Sequence, residues 1–216
     1  MAVKLIENID QGLLGLWEIA ETTEQLLSQY HPKNAELDNF YLFRNELRKR
    51  EWLATRLLLQ QLLGRKSIIS YDPSGKPHLI NSTGHISISH SSSFVAVCYH
   101  PELQPGIDIE LITRNVERAA RRFLSPKELN DCTVNGRLSN RDLMLRWCAK
   151  EAVFKMVPYA DVDFASQIAC EAERLNTNEG EITATFSAED RSHVIPLKSR
   201  LIGELIMVWG TFSPNN

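Results

Sequence analysis

Through residues 139–157, Leu145, Cys148, Ala149, Ala152 and Met156 recur at helical spacing, the pattern of a helix with one face against a core. Ser139 stands where an N-cap belongs, and Pro158 ends the run. Leu143, Trp147, Glu151 and Lys155, four apart, form a second stripe turned away from the first. Upstream, Gly106-Ile107-Asp108-Ile109-Glu110 alternates. On a strand, that period of two sends both carboxylates to one face and both isoleucines to the other, giving an acidic face and a dry one.

The rest of the pattern is read the same way. Residues 3–6 and 13–19 predict short strands, followed by polar, proline-marked sequence through Pro32. Residues 36–63 turn helical, with an interruption, and Gly64 is the stop. A strand at 67–71 leads into the turn Asp72-Pro73-Ser74-Gly75. The alternating run 85–90 pairs with 94–99 as a hairpin, and its two serines and two histidines are expected to share a face. Residues 114–123 predict a short basic helix, Ser125-Pro126-Lys127-Glu128 a capped helix start, and 181–186, 194–197 and 201–209 three strands. Strand, helix and strands thus occur twice, which predicts an α+β chain of two related halves, 1–105 and 106–216, although no sequence repeat is visible.

Composition narrows the choice of chemistry. The chain has 216 residues, 43% hydrophobic and 24% charged, as in ordinary soluble domains. A net charge of -3 gives no global reason to expect nucleic acid or an anionic membrane, so any basic site is local. Arg44, Arg48, Lys49, Arg50 and Arg56 make such a concentration within the first long helix. Cys98, Cys132, Cys148 and Cys170 lack metal-ligand spacing and read as reduced core thiols. There is no leader-like or membrane-length apolar run, so a cytoplasmic protein is expected. A Glu and a Lys at i,i+4, such as Glu151 and Lys155, are by themselves a common surface pair. Asp108 and Glu110 change that reading, because adjacent carboxylates repel unless a cation lies between them, and a hard divalent ion with Glu151 as third ligand answers that need. Ser89 and His90 lack the glycines of a nucleophile elbow, which favours phosphate binding over hydrolysis.

The two segments resemble the signatures of the 4'-phosphopantetheinyl transferases, of the longer, surfactin-synthetase-activating type. A Gly-hydrophobic-Asp-x-Glu strand stands at Gly106 to Glu110, and a Trp-(small)-x-Lys-Glu-(Ala/Ser)-x-x-Lys helix at Trp147 to Lys155. Gly75-Lys76-Pro77 and Ile88-Ser89-His90-Ser91 fit the same pattern, so the likeness covers residues 44–155 by motif. It implies two similar α/β halves related by pseudo-twofold symmetry, each a small antiparallel sheet packed on a long helix, in a chain that works as a monomer. The implied reaction moves the phosphopantetheine arm of coenzyme A to a serine of an apo acyl or peptidyl carrier protein. Asp108, Glu110 and Glu151 would hold Mg²⁺, with Mn²⁺ as a substitute, and Glu151 would also take the serine proton. Lys155 would contact a phosphate with Lys150 beside it, and Arg50, Lys76, Ser89 and His90 would hold coenzyme A; Arg44 is a less clear match to the family's arginine than Arg50. Trp147 reads as structural. Carrier proteins of this class are acidic, so Arg114, Arg118, Arg121 and Arg122 are expected to dock them. Two other readings compete: a catalytically silent module that binds coenzyme A or a carrier, and a metal-dependent nuclease. The nuclease strand would carry lysine at position 112, where this chain has Ile112.

Overall fold

The alternating N-terminal sequence pairs as an antiparallel hairpin, β1 (Val3–Ile9) with β2 (Gly12–Glu18). The computed structural model describes residues 3–32, 34–80, 82–159, 161–172, 178–189 and 191–213. The chain divides into two compact units, Met1–Glu102 and Leu103–Asn216.

In the first unit the hairpin is followed by α1 (Thr23–Tyr30), α2 (Asn34–Tyr41) and α3 (Glu46–Leu63), a small hairpin β3 (Ile68–Tyr71) and β4 (Pro77–Ile80), and then β5 (His85–Ser91) and β6 (Phe94–His100). The larger sheet has the antiparallel order β1-β2-β6-β5. Helix α1 lies where the sequence reading has only polar loop. Its start is fixed by a capping box, in which Gln25 N–H donates to Thr22 Oγ1 and Thr22 N–H to Gln25 Oε1. Leu26 and Tyr30 then bury its inner face in the core shared with α3. The interruption in the 36–63 pattern is a break between α2 and α3, where Asn45 Oδ1 accepts from Leu47 N–H and Arg48 N–H. Gly64, at φ 65°, ends α3 in the left-handed conformation. Leu53, Leu58 and Leu59 bury α3 against Trp17, Val95 and Val97 of the sheet. Arg56 is part of this core: its guanidinium lies 3.5 Å over the Trp52 ring and 3.6 Å from Glu36.

The second unit opens with β7 (Gln104–Leu111). A 3-10 turn at Glu117–Ala119 runs into α4 (Ala120–Phe123), followed by α5 (Pro126–Asp131), the two-residue strands β8 (Thr133–Val134) and β9 (Arg137–Leu138), and α6 (Asn140–Met156). After α7 (Phe164–Gln167) come β10 (Ile168–Ala172), β11 (Glu179–Ala188), β12 (Arg191–Ile202) and β13 (Leu205–Phe212), in a sheet of order β10-β11-β12-β13-β7. Two details differ from expectation. β10 is an additional strand, and the segment read as one strand at 201–209 is split, with Ile202 pairing back on Leu205 across the turn at Gly203, φ 61°. The expected long helix spans Asn140–Met156, with Ser139 as N-cap and Val157 as C-cap. Its predicted apolar stripe is fully buried against β7 and β13, each large side chain contributing about 1.5–3 kcal/mol.

The fold is therefore α+β, with antiparallel sheets and one long helix packed on the larger sheet of each unit. All four cysteines are free and buried, and burial pushes the Cys98 and Cys170 thiols up to about 12. Among the described residues, no helix is long and apolar enough to cross a membrane.

Candidate active site

Gly106 sets the distance between β7 and α6. A Cβ there would stand 2.1 Å from the Ala152 carbonyl oxygen and 2.5 Å from Met156 Cγ, so the helix backbone comes this close only over a hydrogen. Its register partner on β13 is Gly210. By the two-residue period, Asp108 and Glu110 lie on this same helix-facing side, paired opposite Val208 and Ile206. The acidic face is thus covered by α6, and Asp108 is only 6% exposed. Ile107 and Ile109, on the reverse side, are fully buried.

The close approach brings the second stripe of α6 to the acids. Lys155 Nζ donates to Asp108 Oδ1 at 2.7 Å and to the Ile107 carbonyl at 2.9 Å. Arg114 Nη1 pairs with Glu110 Oε1. Glu151, one turn before Lys155, has its pKa raised to about 7, first by burial and then by the charge of Asp108; Glu110 adds to the rise, and Lys155 and Arg114 oppose it. An open cleft of about 510 Å³ lies beside Glu151, lined also by Arg122, Phe123, Trp147 and Phe164.

Among the described residues, no group of three or more His, Cys, Asp or Glu side chains stands ready to hold a metal ion; cationic side chains contact Asp108 and Glu110. The chemistry of the donor set nevertheless fits a hard divalent cation. Three carboxylates supply only oxygen ligands, and after burial, which is the larger cause, the charges of Asp108 and Glu110 help raise the pKa of Glu151, a repulsion that such an ion would relieve.

Lys150 does not belong to this site. The sequence reading placed it with the phosphate-binding residues, but it is 0% exposed and its ammonium is engaged with α5, α7 and β10. Its ammonium donates to Glu128 Oε2 (2.9 Å), the Phe164 carbonyl (2.8 Å) and the Ile168 carbonyl (2.5 Å), which uses all three of its protons. Trp147 packs edge-on against Phe123, ring centroids 5.0 Å apart, and against Phe164. Of the arginines expected to dock a partner, Arg114 is engaged with Glu110, whereas Arg118, Arg121 and Arg122 are exposed on or beside α4.

The first unit holds the other expected contacts. Asp72 Oδ1 accepts from Ser74 N–H and Lys76 N–H, 2.9 Å each, fixing the turn that presents Lys76; burial lowers the pKa of that lysine. Ser89 and His90 do not share a face. Ser89 is buried, while His90 lies on the side of Ile86 and Ile88 and reaches α3, where Arg48 Nη1 donates to its Nε2 and Glu51 Oε1 stands 3.5 Å from its Nδ1. Arg50 is half-buried on α3, and Arg44 is exposed just before it. Arg48 was legible only as one of a basic stretch and Glu51 was not singled out, because only the fold brings position 90 onto this turn of the helix.

Residues 104–203 match the family model of the 4'-phosphopantetheinyl transferase superfamily. Over that stretch the chain is similar to this superfamily. Curated proteins give no match. The matched stretch includes β7 and the whole of α6, the two elements that meet at Gly106. Gly106→Ala is expected to cost about 3 kcal/mol, the upper end for overpacking, because the obstacle is helix backbone as well as the Met156 side chain. Urea unfolding measures this; a loss below about 1 kcal/mol would show that the helix can move off the strand at little cost.

Proposed function

We propose that the protein transfers the 4'-phosphopantetheine arm of coenzyme A to a serine of an apo acyl or peptidyl carrier protein. The observation that carries this reading is the convergence of Asp108, Glu110, Glu151 and Lys155 where α6 meets β7, inside the segment that matches the superfamily. In the reaction the serine oxygen bonds to the β-phosphorus, the bond from that phosphorus to the bridging oxygen breaks, and adenosine 3',5'-bisphosphate leaves with the electron pair. Asp108, Glu110 and Glu151 are the residues that would hold Mg²⁺, with Mn²⁺ an alternative. The ion would supply charge neutralisation to the diphosphate. Glu151 receives the serine proton, as its position beside the cleft and its raised proton affinity suit. Lys155, held on Asp108, offers its ammonium to phosphate oxygens as negative charge develops. Trp147 and Phe123 supply an apolar wall to the cleft.

We assign residues 1–105 to recognition of coenzyme A, through Arg50, Lys76 and His90, and residues 106–216 to the metal and the chemistry. The carrier's acidic surface is assigned to Arg118, Arg121 and Arg122, which are exposed around α4; Arg122 also lines the cleft that holds Glu151. Charge reversal at Arg118 and Arg121 together is expected to raise the KM for carrier about tenfold and leave the KM for coenzyme A unchanged; an unaltered carrier KM removes the docking assignment. The function itself is tested by incubating the protein with coenzyme A, Mg²⁺ and apo carrier proteins of fatty-acid, polyketide and peptide synthesis. A mass gain of one arm on the carrier serine is the expected result. Coenzyme A binding without any mass gain on the carriers would point to a silent binding module instead.

A further inference from the structure

The loop between β7 and the 3-10 turn is gripped by one side chain of α6. Asn140, the first residue of that helix, donates from Nδ2 to the Ile112 carbonyl at 2.5 Å and to the Arg114 carbonyl at 3.0 Å, and its Oδ1 accepts from Val116 N–H at 3.5 Å. Both of its N–H donors and its oxygen are thus spent on alternate residues of one short segment. Arg114 N–H donates to the Leu111 carbonyl, and Ile112 N–H to the Glu204 carbonyl in the turn between β12 and β13. The backbone is therefore fixed on both sides of Arg114, while the arginine side chain is 55% exposed and lies on Glu110, whose side chain is 12% exposed. Asn140 acts on the acid at one remove: it sets where Arg114 starts, and Arg114 reaches Glu110 Oε1.

A guanidinium and a divalent ion on the same carboxylate oppose each other. An outer partner that orients a metal-binding carboxylate strengthens the hold on the metal, but Arg114 brings a positive charge with it. Even at the dielectric of water, a unit charge about 5 Å from a divalent ion weakens its binding about tenfold, whereas an ion pair as exposed as that of Arg114 with Glu110 is weak. Arg114 is the group that yields. We propose that Arg114 is an exchangeable counter-ion of Glu110, which leaves that carboxylate when a divalent ion binds and so limits the affinity of the site for the ion, and that Asn140 is its positioning residue. The proposal rests on the transferase reading only for the presence of the ion. Lys155 differs from Arg114, because its side chain is 25% exposed and its ammonium is held by the Ile107 carbonyl as well as by Asp108. By linkage, the ion loosens Arg114 by the same factor by which Arg114 weakens the ion.

Titration of the full chain with Mn²⁺ alone, read by the electron spin resonance of the unbound ion, measures the affinity without coenzyme A, carrier or turnover. Arg114→Ala is expected to lower Kd about tenfold, and Arg114→Lys, which keeps the charge, to stay within about twofold of wild type. Asn140→Ala, which loosens the loop and keeps the arginine, is expected to lower Kd about threefold, and to change nothing further when added to Arg114→Ala. An asparagine that only supports the fold would change Kd in both backgrounds. An affinity that Arg114→Ala leaves unchanged or weakens overturns the proposal, as does an Arg114→Lys variant that matches Arg114→Ala, or a wild type that binds no Mn²⁺. The wild type also tests it without any substitution in the protein titrated. The Arg114 Nε–H resonance, located by its absence from the Arg114→Lys spectrum, is expected to shift as Mg²⁺ is added and to saturate with the ion; a resonance that ignores Mg²⁺ overturns the exchange. Transfer to a carrier by a protein whose metal affinity ignores Arg114 removes the counter-ion and keeps the transferase assignment, whereas the Arg114 effects without any transfer do the reverse.

Discussion

Lys150→Met will lower the stability of the protein by about 3–5 kcal/mol, the range for removing one partner of a buried ion pair. The loss comes from what is left behind. Glu128 is a hub: besides Lys150 it accepts from Ser125 N–H and Oγ and from Cys170 N–H, so its charge stays in place at 3% exposure without its cation. The carbonyls of Phe164 and Ile168 lose a donor as well. Since Glu128 belongs to α5, Phe164 to α7 and Ile168 to β10, the ammonium ties three elements to α6, and its removal loosens the setting of Glu151 next in sequence. Urea unfolding measures the effect. A double-mutant cycle with Glu128→Gln checks its origin: the double variant is expected to recover part of the loss, because the stranded charge is gone. A drop below about 1 kcal/mol would mean the pair is solvated and its role here wrong.

That prediction runs against the sequence reading, and the reason is general. Lys150 and Glu151 are adjacent letters of one motif, yet on a helix adjacent side chains point about 100° apart. Charge is visible in a sequence and burial is not, so a lysine beside a candidate catalytic acid reads as an active-site cation. Glu128 gives the missing hint: it was legible as the third residue of a capping box, but nothing in the one-dimensional pattern says that this carboxylate faces α6. Gly106 is the converse case. It was read as the first letter of a motif, and its physical meaning, a backbone-to-backbone approach that a methyl group would prevent, appears only when the helix is laid on the strand. Without that contact the acids of β7 look like an open face; with it they become a covered site that meets Lys155.

Periodicity served well where elements bury one clear stripe. The ends of α6 were legible from Ser139 and Pro158, and its apolar positions are the ones buried in the core. It served less well for α1, an eight-residue helix with few apolar positions, where the available signal was the Thr22-x-x-Gln25 capping box. Residues 85–90 show how alternation can be right and its use wrong: Ser89 and His90 are neighbours, so one strand sends them to opposite faces, and pairing both with one ligand face overlooked that period.

Glu151→Gln will reduce turnover by about 10²–10⁴, the range for removing a general base, while leaving the fold intact, because the amide matches the carboxylate in shape and half-buried side chains of α6 tolerate it. Asp108→Asn is expected to be similarly severe, since it removes a charge that the proposed site would offer a metal ion and the partner of Lys155. Thermal unfolding with and without Mg²⁺ assigns the losses. At a hundredfold excess over its Kd, an ion that binds only the folded protein stabilises it by about 2.7 kcal/mol, and the wild type is expected to show a rise in Tm that Asp108→Asn abolishes. For Glu151 the two roles separate in the same experiment. If Glu151→Gln keeps the Mg²⁺-dependent rise and loses turnover, its carboxylate acts on the serine proton; if both vanish, it holds the ion. The second outcome is the one the electrostatics favour, because Glu151 already sits in the field of Asp108 and Glu110, and a divalent ion bound among the three converts that repulsion into binding energy. A wild type whose Tm ignores Mg²⁺ and Mn²⁺ and whose activity survives their removal by chelation would show that Lys155 and Arg114 are the permanent counter-ions of these acids.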